Sequence, residues 1–289
     1  MVYILGDIHR INVSYDSSFV WDNMKLSVII PSYKDPLLNK TVNDLLEKSE
    51  LGVELEIICV MDGYWQVPVA DNRVRVVHLG KNRGMRGAIN AGVAVSRGEY
   101  IARCDEHIMF SPGFDKVLID SCGLKDIITA RRFYLDPVKW AVMKDKGYVD
   151  CEKLVIQDMG NGIRKFSGQK WKSLAEKMKN ESIIEAQAMQ GSFWVTSRKH
   201  WDSAIVELET EGYGPHYGDS HEAVFKTWKV GGRLIYSKKA WYAHKFREFS
   251  RTHNEGTKDN PANKVESWAY SLRIWNDYYQ NEIRPKWGI

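Results

Sequence analysis

"GEYIARCDEHIMF", residues 98–110, runs through mostly apolar or small side chains into three consecutive ionisable ones, Asp105, Glu106 and His107, and then returns to apolar residues. A short apolar run of this kind, opened by a glycine, fits a strand buried within a sheet. Side chains alternate across a strand, so Asp105 and His107 leave on one face and Glu106 on the other. An arbitrary Asp-x-His usually does no more than end a strand. At the carboxyl end of an inner strand of an α/β sheet, where ligands gather, the same triplet is a candidate site.

The flanking sequence supplies that sheet. "LSVIIPSY" (26–33), "ELEIICVMDG" (54–63) and "VRVVHL" (74–79) read as strands. "LLNKTVNDLLEKS" (37–49) spaces Leu38, Val42, Leu45 and Leu46 at helical intervals, and "GMRGAINAGVAVS" (84–96) reads as a helix despite its glycines. This alternation predicts an α/β fold with a mainly parallel sheet flanked by helices. Further on, "DIITARRFYL" (126–135) reads as a strand, and residues 160–182 as a loop followed by an amphipathic helix with a basic outer face. "KVESWAYSLRIWNDYYQNEI" (264–283) predicts an amphipathic helix whose Trp268, Leu272, Trp275 and Tyr279 pack on the core.

At 289 residues, 44% hydrophobic and 27% charged, the chain is long enough to bury a sizeable core and lies far from the composition of disorder. It has no internal repeat and no low-complexity linker, which points to one catalytic domain over residues 1–247 followed by a basic, aromatic, helical extension over 248–289. No run of 18 apolar residues occurs, and the apolar start "MVYIL" meets Asp7 too early for a signal peptide, so the expectation is a soluble, cytoplasmic protein without a membrane segment. Cys59, Cys104, Cys122 and Cys151 form no CxxC pair and read as buried free thiols. The net charge of +4 is unevenly spread: residues 226–289 carry 13 Lys and Arg against 6 Asp and Glu, and the first 225 carry 28 against 31.

A carboxylate beside an imidazole suits a borderline divalent ion such as Mn²⁺, with Mg²⁺ as the alternative. Asp105 and His107 leave such an ion under-coordinated, and His244 in "KKAWYAHKFR" is a plausible third ligand. Substrate phosphates would complete the shell.

With these residues in view, the sequence resembles the GT-A nucleotide-diphosphosugar glycosyltransferases, in particular glycosyltransferase family 2 and the related polypeptide N-acetylgalactosaminyltransferases. "LSVIIPSYKDP" resembles the family's first strand, and "VMDG" its second, whose Asp62 would face the nucleotide base. "KNRGMRGAINAGVAVSRGEYIARCDEH" is similar to the region ending in D-x-D, with His107 in place of the second acid as in the N-acetylgalactosaminyltransferase branch. "AHKFR" resembles that branch's third-ligand segment, and "GDSHEAVFKTWKVGGRL" (218–234) the acceptor-side segment. The resemblance covers residues 25–115, the nucleotide-sugar half, and 186–247, the acceptor half. It implies a GT-A (Rossmann-like) fold, a metal held by Asp105, His107 and His244, and a nucleotide-diphosphate sugar, a UDP-sugar foremost, bound by Pro31, Tyr33, Asp62, Asn82, Arg83, Arg86, Asp105, Gln190 and Gly191.

Asp219, Glu222 and Arg247 are the catalytic candidates that the resemblance implies. Glu222 serves either an acceptor hydroxyl or the start of a helix. Inverting relatives carry an Asp where this chain has Ser220, so either Asp219 accepts the acceptor's proton or leaving-group phosphate does, as in retaining relatives, and the reading leans to retention. The acceptor is a hydroxyl: a saccharide or glycoconjugate by family frequency, or a hydroxymethylated pyrimidine in DNA, which suits the basic, aromatic C-terminal quarter. A non-catalytic sugar- or nucleotide-binding module is the third reading. "GDIH" (6–9) and "GDSH" (218–221) also look like the start of a metallophosphoesterase, but that family's further metal-binding segments are missing.

Overall fold

The computed structural model of the chain describes residues 2–5, 24–215, 217–246 and 263–288. "GDIH" at 6–9 and Arg247 therefore lie outside the described residues. In chain order the strands are β1 (Val2–Leu5), β2 (Leu26–Ser32), β3 (Leu55–Asp62), β4 (Val74–Leu79), β5 (Tyr100–Cys104), β6 (Ile108–Phe110), β7 (Ile127–Asp136), β8 (Ala141–Val142), β9 (Tyr148–Val149), β10 (Glu152–Asp158), β11 (Arg164–Lys170), β12 (Ile183–Ala186), β13 (Phe193–Ser197) and β14 (Leu234–His244). The helices are α1 (Leu38–Lys48), α2 (Gly84–Val95), α3 (Phe114–Ser121), α4 (Lys172–Lys177), the single turn α5 (Arg198–His200), α6 (Asp219–Lys229), α7 (Lys264–Tyr278), prolonged by Tyr279–Ile283, and the final turn α8 (Arg284–Trp287).

The main sheet runs β1-β4-β3-β2-β5-β13-β7-β14-β12. From β1 to β5 every pairing is parallel, as the βα alternation requires. β13 then enters antiparallel between β5 and β7, so the second half of the sheet is mixed. All residues of β2 and β3 are buried, which is why both strands are near-continuous apolar runs. One face carries Val28, Ile30, Ile57 and Cys59 against Leu38, Val42 and Leu45 of α1 and Phe114 and Leu118 of α3. The opposite face carries Ile29, Ile58 and Val60 against Ala88, Ile89 and Val93 of α2. The α2 glycines permit that approach: a Cβ on Gly92 would stand 2.4 Å from Ile29 Cγ2. All four cysteines are buried and free.

Two expectations change. Residues 164–170 are a strand of the β10–β11 hairpin rather than a loop, and only Lys172–Lys177 of the predicted helix is helical. The buried stripe of the C-terminal helix is Ser267, Ser271, Trp275, Tyr279 and Ile283, while Trp268 and Leu272 lie on its flank, half-buried. Trp275 stacks on Phe225 at 4.9 Å, and the Tyr279 hydroxyl donates to Leu154 O at 2.7 Å. Part of the segment set apart as an extension thus completes the main core. No helix among the described residues is long and apolar enough to cross a membrane.

Candidate functional site

The break in residues 105–107 is built by α1. The backbone amide of Asp105 still reaches Ser192 O, but the Glu106 carbonyl accepts from Thr41 Oγ1 at 2.9 Å and the Ile108 amide donates to the same hydroxyl at 3.0 Å. Thr41 thus replaces the sheet's hydrogen bonds where the chain leaves β5. β6 then pairs with the far end of β14, with Ile108 opposite His244. That crossing brings together residues 139 apart in sequence.

Asp105, His107 and His244 offer ligand atoms that all lie within 4.8 Å of one another. Asp105 Oδ2 is 3.1 Å from His244 Nε2 and 3.9 Å from His107 Nε2. Burial opposes ionisation of Asp105, but Arg103, the His244 hydrogen bond and His107 hold its carboxyl well below the usual range. Burial pushes His244 down to about 3, so its imidazole is neutral near pH 7. His107 presents Nε2 because its Nδ1 lies 2.9 Å from Asp35 Oδ2. One carboxylate, two imidazoles and an orienting acid behind one of them form a donor set that fits a divalent transition ion. Asp35→Asn is expected to weaken Mn²⁺ binding by about 10–100-fold, measured by calorimetry, because Asp35 holds the ring of His107.

These residues line a cleft of about 320 Å³ at the carboxyl ends of the parallel strands, together with Pro31, Tyr33, Asp62, Gln190, Gly191 and Asp219. Glu106, expected on the opposite face, lines the same cleft: its carboxylate lies within 4.8 Å of ligand atoms of Asp35 and His107 and accepts from the Tyr33 amide at 2.6 Å. Asp62 lines the cleft while anchoring α2: Oδ1 accepts from Arg83 N at 2.6 Å, and Oδ2 from Gly84 N and Asn82 Nδ2, both at 2.9 Å. Asn82 and Arg83 do not line the cleft, and these contacts position Asp62. Gln190 Nε2 sits 3.5 Å from His244 Nδ1. A Cβ on Gly191 would come within 3.2 Å of Asp219 Oδ2, so glycine keeps this wall thin.

Arg86 and Glu222 are placed elsewhere. Arg86 is fully buried, paired with Glu222, donating to Tyr217 O and Glu209 O at 2.8 Å each and lying over the Tyr213 ring. Neither residue lines the cleft, so a diphosphate contact for Arg86 and an acceptor contact for Glu222 give way to a structural ion pair joining α2 to α6. Glu222→Gln leaves a buried guanidinium without its charge partner and is expected to cost about 3–5 kcal/mol in urea unfolding.

Two further residues of the site, Arg103 and Asp35, carry little signal in the sequence. Arg103 lies between the acids, 2.8 Å from Asp105 Oδ1 and 3.8 Å from Asp219 Oδ2. A lone arginine inside the apolar run "YIARC" was its signal, since a buried charge needs a partner. Asp35 had only its place after the strand in "PSYKDP" to mark it.

Residues 27–199 match the family glycosyl transferase family 2. The dolichyl-phosphate beta-glucosyltransferase of Dictyostelium discoideum is 30% identical over 118 residues, 35% of this chain and 36% of that protein. The Homo sapiens protein of the same name is 36% identical over 106 residues, 30% of this chain and 32% of its own. The matches thus span about a third of the length of these relatives. A crystal structure of GalNAc-T7 with UDP, GalNAc and Mn2+ superposes with a TM-score of 0.69 over 90% of this chain and 50% of that one, at 14% identity. That likeness extends to the fold, and the family match covers more than half of the chain. The chain has the GT-A fold and belongs to glycosyl transferase family 2.

Proposed function

We propose that the protein moves a sugar from a nucleoside-diphosphate sugar, a UDP-sugar foremost, to a saccharide or glycoconjugate hydroxyl, using a divalent ion held by Asp105, His107 and His244. The observation that carries this reading is the convergence of those three side chains at the end of β5, inside the cleft that also exposes Pro31, Tyr33, Asp62 and Gln190. The UDP and Mn2+ of the GalNAc-T7 structure support the same choice of donor and ion. A divalent ion bound there supplies positive charge against which a diphosphate can leave.

The chain's own residues do the rest. Pro31, Tyr33 and Asp62 shape the end of the cleft for the nucleoside, and Gln190 and Gly191 border the sugar. Asp219 lines the same cleft and shares Arg103 with Asp105, and this placement favours it over leaving-group phosphate as the proton acceptor in this reading. As the acceptor oxygen bonds to the anomeric carbon, its proton passes to the Asp219 carboxylate, and the electron pair of the breaking C–O bond leaves on the diphosphate. Single displacement of this kind inverts the anomeric centre, whereas the retaining alternative passes the proton to leaving-group phosphate.

DNA is the weaker acceptor reading, because Trp275 and Tyr279, two of the rings that suggested it, are buried in the core. The deciding experiment incubates the protein with Mn²⁺, a panel of nucleotide sugars, and either oligosaccharides or hydroxymethylated duplex DNA, and weighs the products. A saccharide product supports the proposal. A glycosylated DNA product, with binding that falls steeply as salt rises, would replace it.

A further inference from the structure

A second cavity, of about 360 Å³, opens beside the donor cleft, and Gln190 and Gly191 line both. Asp219 faces the cleft while its neighbours Ser220 and His221 face the second cavity. The thin wall at Gly191, where a Cβ would press on Ser220 Cβ at 3.1 Å, is therefore the seam between the two spaces. The far wall comes from α7, through Ser267, Trp268 and Ser271, and from the β10–β11 hairpin, through Lys165 to Gly168.

We propose that this second cavity is the acceptor site and that it takes a neutral saccharide ring laid against Trp268, in preference to a phosphorylated acceptor. The assignment rests on the transferase reading above, since an acceptor site has meaning only beside a donor site.

The chemistry of the walls carries it. Trp268 is half-buried and offers a rigid apolar surface of the kind that packs on a sugar face. The Ser267 side chain, 2% exposed, has its hydroxyl without a hydrogen-bond partner among the described residues. A buried hydroxyl in that state is costly unless a ligand supplies the missing bond. Burial pushes the His221 imidazole down to about 4, so it meets a ligand as a neutral hydrogen-bonding group.

Among the described residues that line this cavity, fixed charge is scarce. Glu152 is tied to Arg132 at 2.7 Å, and the Lys165 ammonium lies 4.7 Å from the centre of the Trp268 ring. A phosphate monoester is held by several charge-assisted donors, and Lys165 is the one cationic side chain among the described residues lining this cavity. A volume of this order lies within the range of small-molecule sites.

The test uses the full chain with Mn²⁺. Calorimetry with UDP, GDP and dTDP first reads the donor cleft alone. Transfer is then measured to a panel of methyl glycosides and disaccharides, and separately to a short-chain polyprenyl phosphate. Transfer to at least one neutral glycoside is expected, with a KM that Trp268→Ala raises by at least about tenfold and Trp268→Phe by less than about threefold. Nucleoside-diphosphate affinity is expected to stay within about twofold in both variants. Should Trp268→Ala not fold, Ser267→Val reads the same wall, with an expected rise in KM of about threefold or more. Transfer to the polyprenyl phosphate alone, or an unchanged KM in these variants, overturns the acceptor assignment and leaves the donor reading standing. If no nucleoside diphosphate binds in the presence of Mn²⁺, the donor reading fails and the acceptor assignment with it.

Discussion

His244→Ala is expected to lower sugar transfer by about 10³-fold or more, with the fold intact by circular dichroism and Mn²⁺ affinity reduced in calorimetry. His244 is the better of the three ligands to remove. Asp105→Ala should abolish transfer as well, but it also strips Arg103 of its nearer counter-ion, 2.8 Å away, and leaves a guanidinium that is 3% exposed facing only Asp219. A buried charge without its partner destabilises the whole protein, so a dead Asp105 variant would mix two causes. His107→Ala would likewise disturb a second buried group, since it removes the ring whose Nδ1 lies 2.9 Å from Asp35, itself 2% exposed. His244, a neutral imidazole between Asp105 and Gln190, leaves no such orphaned charge behind. The companion measurement is activity in chelator. Full turnover there, or full turnover by His244→Ala, would refute the metal-dependent reading outright.

Much of this site was visible in the sequence because the sheet that carries it is local. Each βα unit from Leu26 to Cys104 buries a continuous apolar strand between two helical layers, so periodicity placed β2 to β5 within a residue or two and put Asp105 at a carboxyl end. The same logic failed at 160–182, where Phe166 faces Phe225 and Tyr279 across a solvent-exposed hairpin. A strand with one buried side chain in seven leaves no apolar pattern to read. Arg86 misled for a related reason. Its place near a glycine-bearing turn looked like phosphate chemistry, but the glycines serve close helix packing and the guanidinium serves Glu222. Sequence shows that a charge exists, and only the fold shows which charge it was matched to. Arg103 makes the converse point, since its value to the site depends on Asp219, a residue far along the chain that periodicity cannot pair with it.

Asp219→Asn is expected to reduce kcat by about 10²–10⁴-fold, the range for losing a positioned general base, with KM for the donor little changed. Burial raises the proton affinity of Asp219, while Arg103 and Arg86 pull it back and Asp105 adds to the rise; the net shift is upward from the ordinary carboxylate value. A base must be ionised to accept a proton, so kcat in the wild type should rise with pH through the pKa of Asp219 and fall below it. Because the shift is upward, that acid limb should lie above the range of an exposed aspartate. Product stereochemistry gives an independent reading: proton transfer to Asp219 goes with a single displacement, so proton NMR of the first-formed product should show the inverted anomer. The retaining alternative predicts the opposite on both counts, with the donor's configuration kept and only a modest loss in Asp219→Asn, since leaving-group phosphate would take the proton. Asparagine preserves the shape of the side chain beside Gly191 and Ser220, so a large loss of kcat in a folded variant would report the missing charge rather than a collapsed wall between the two cavities.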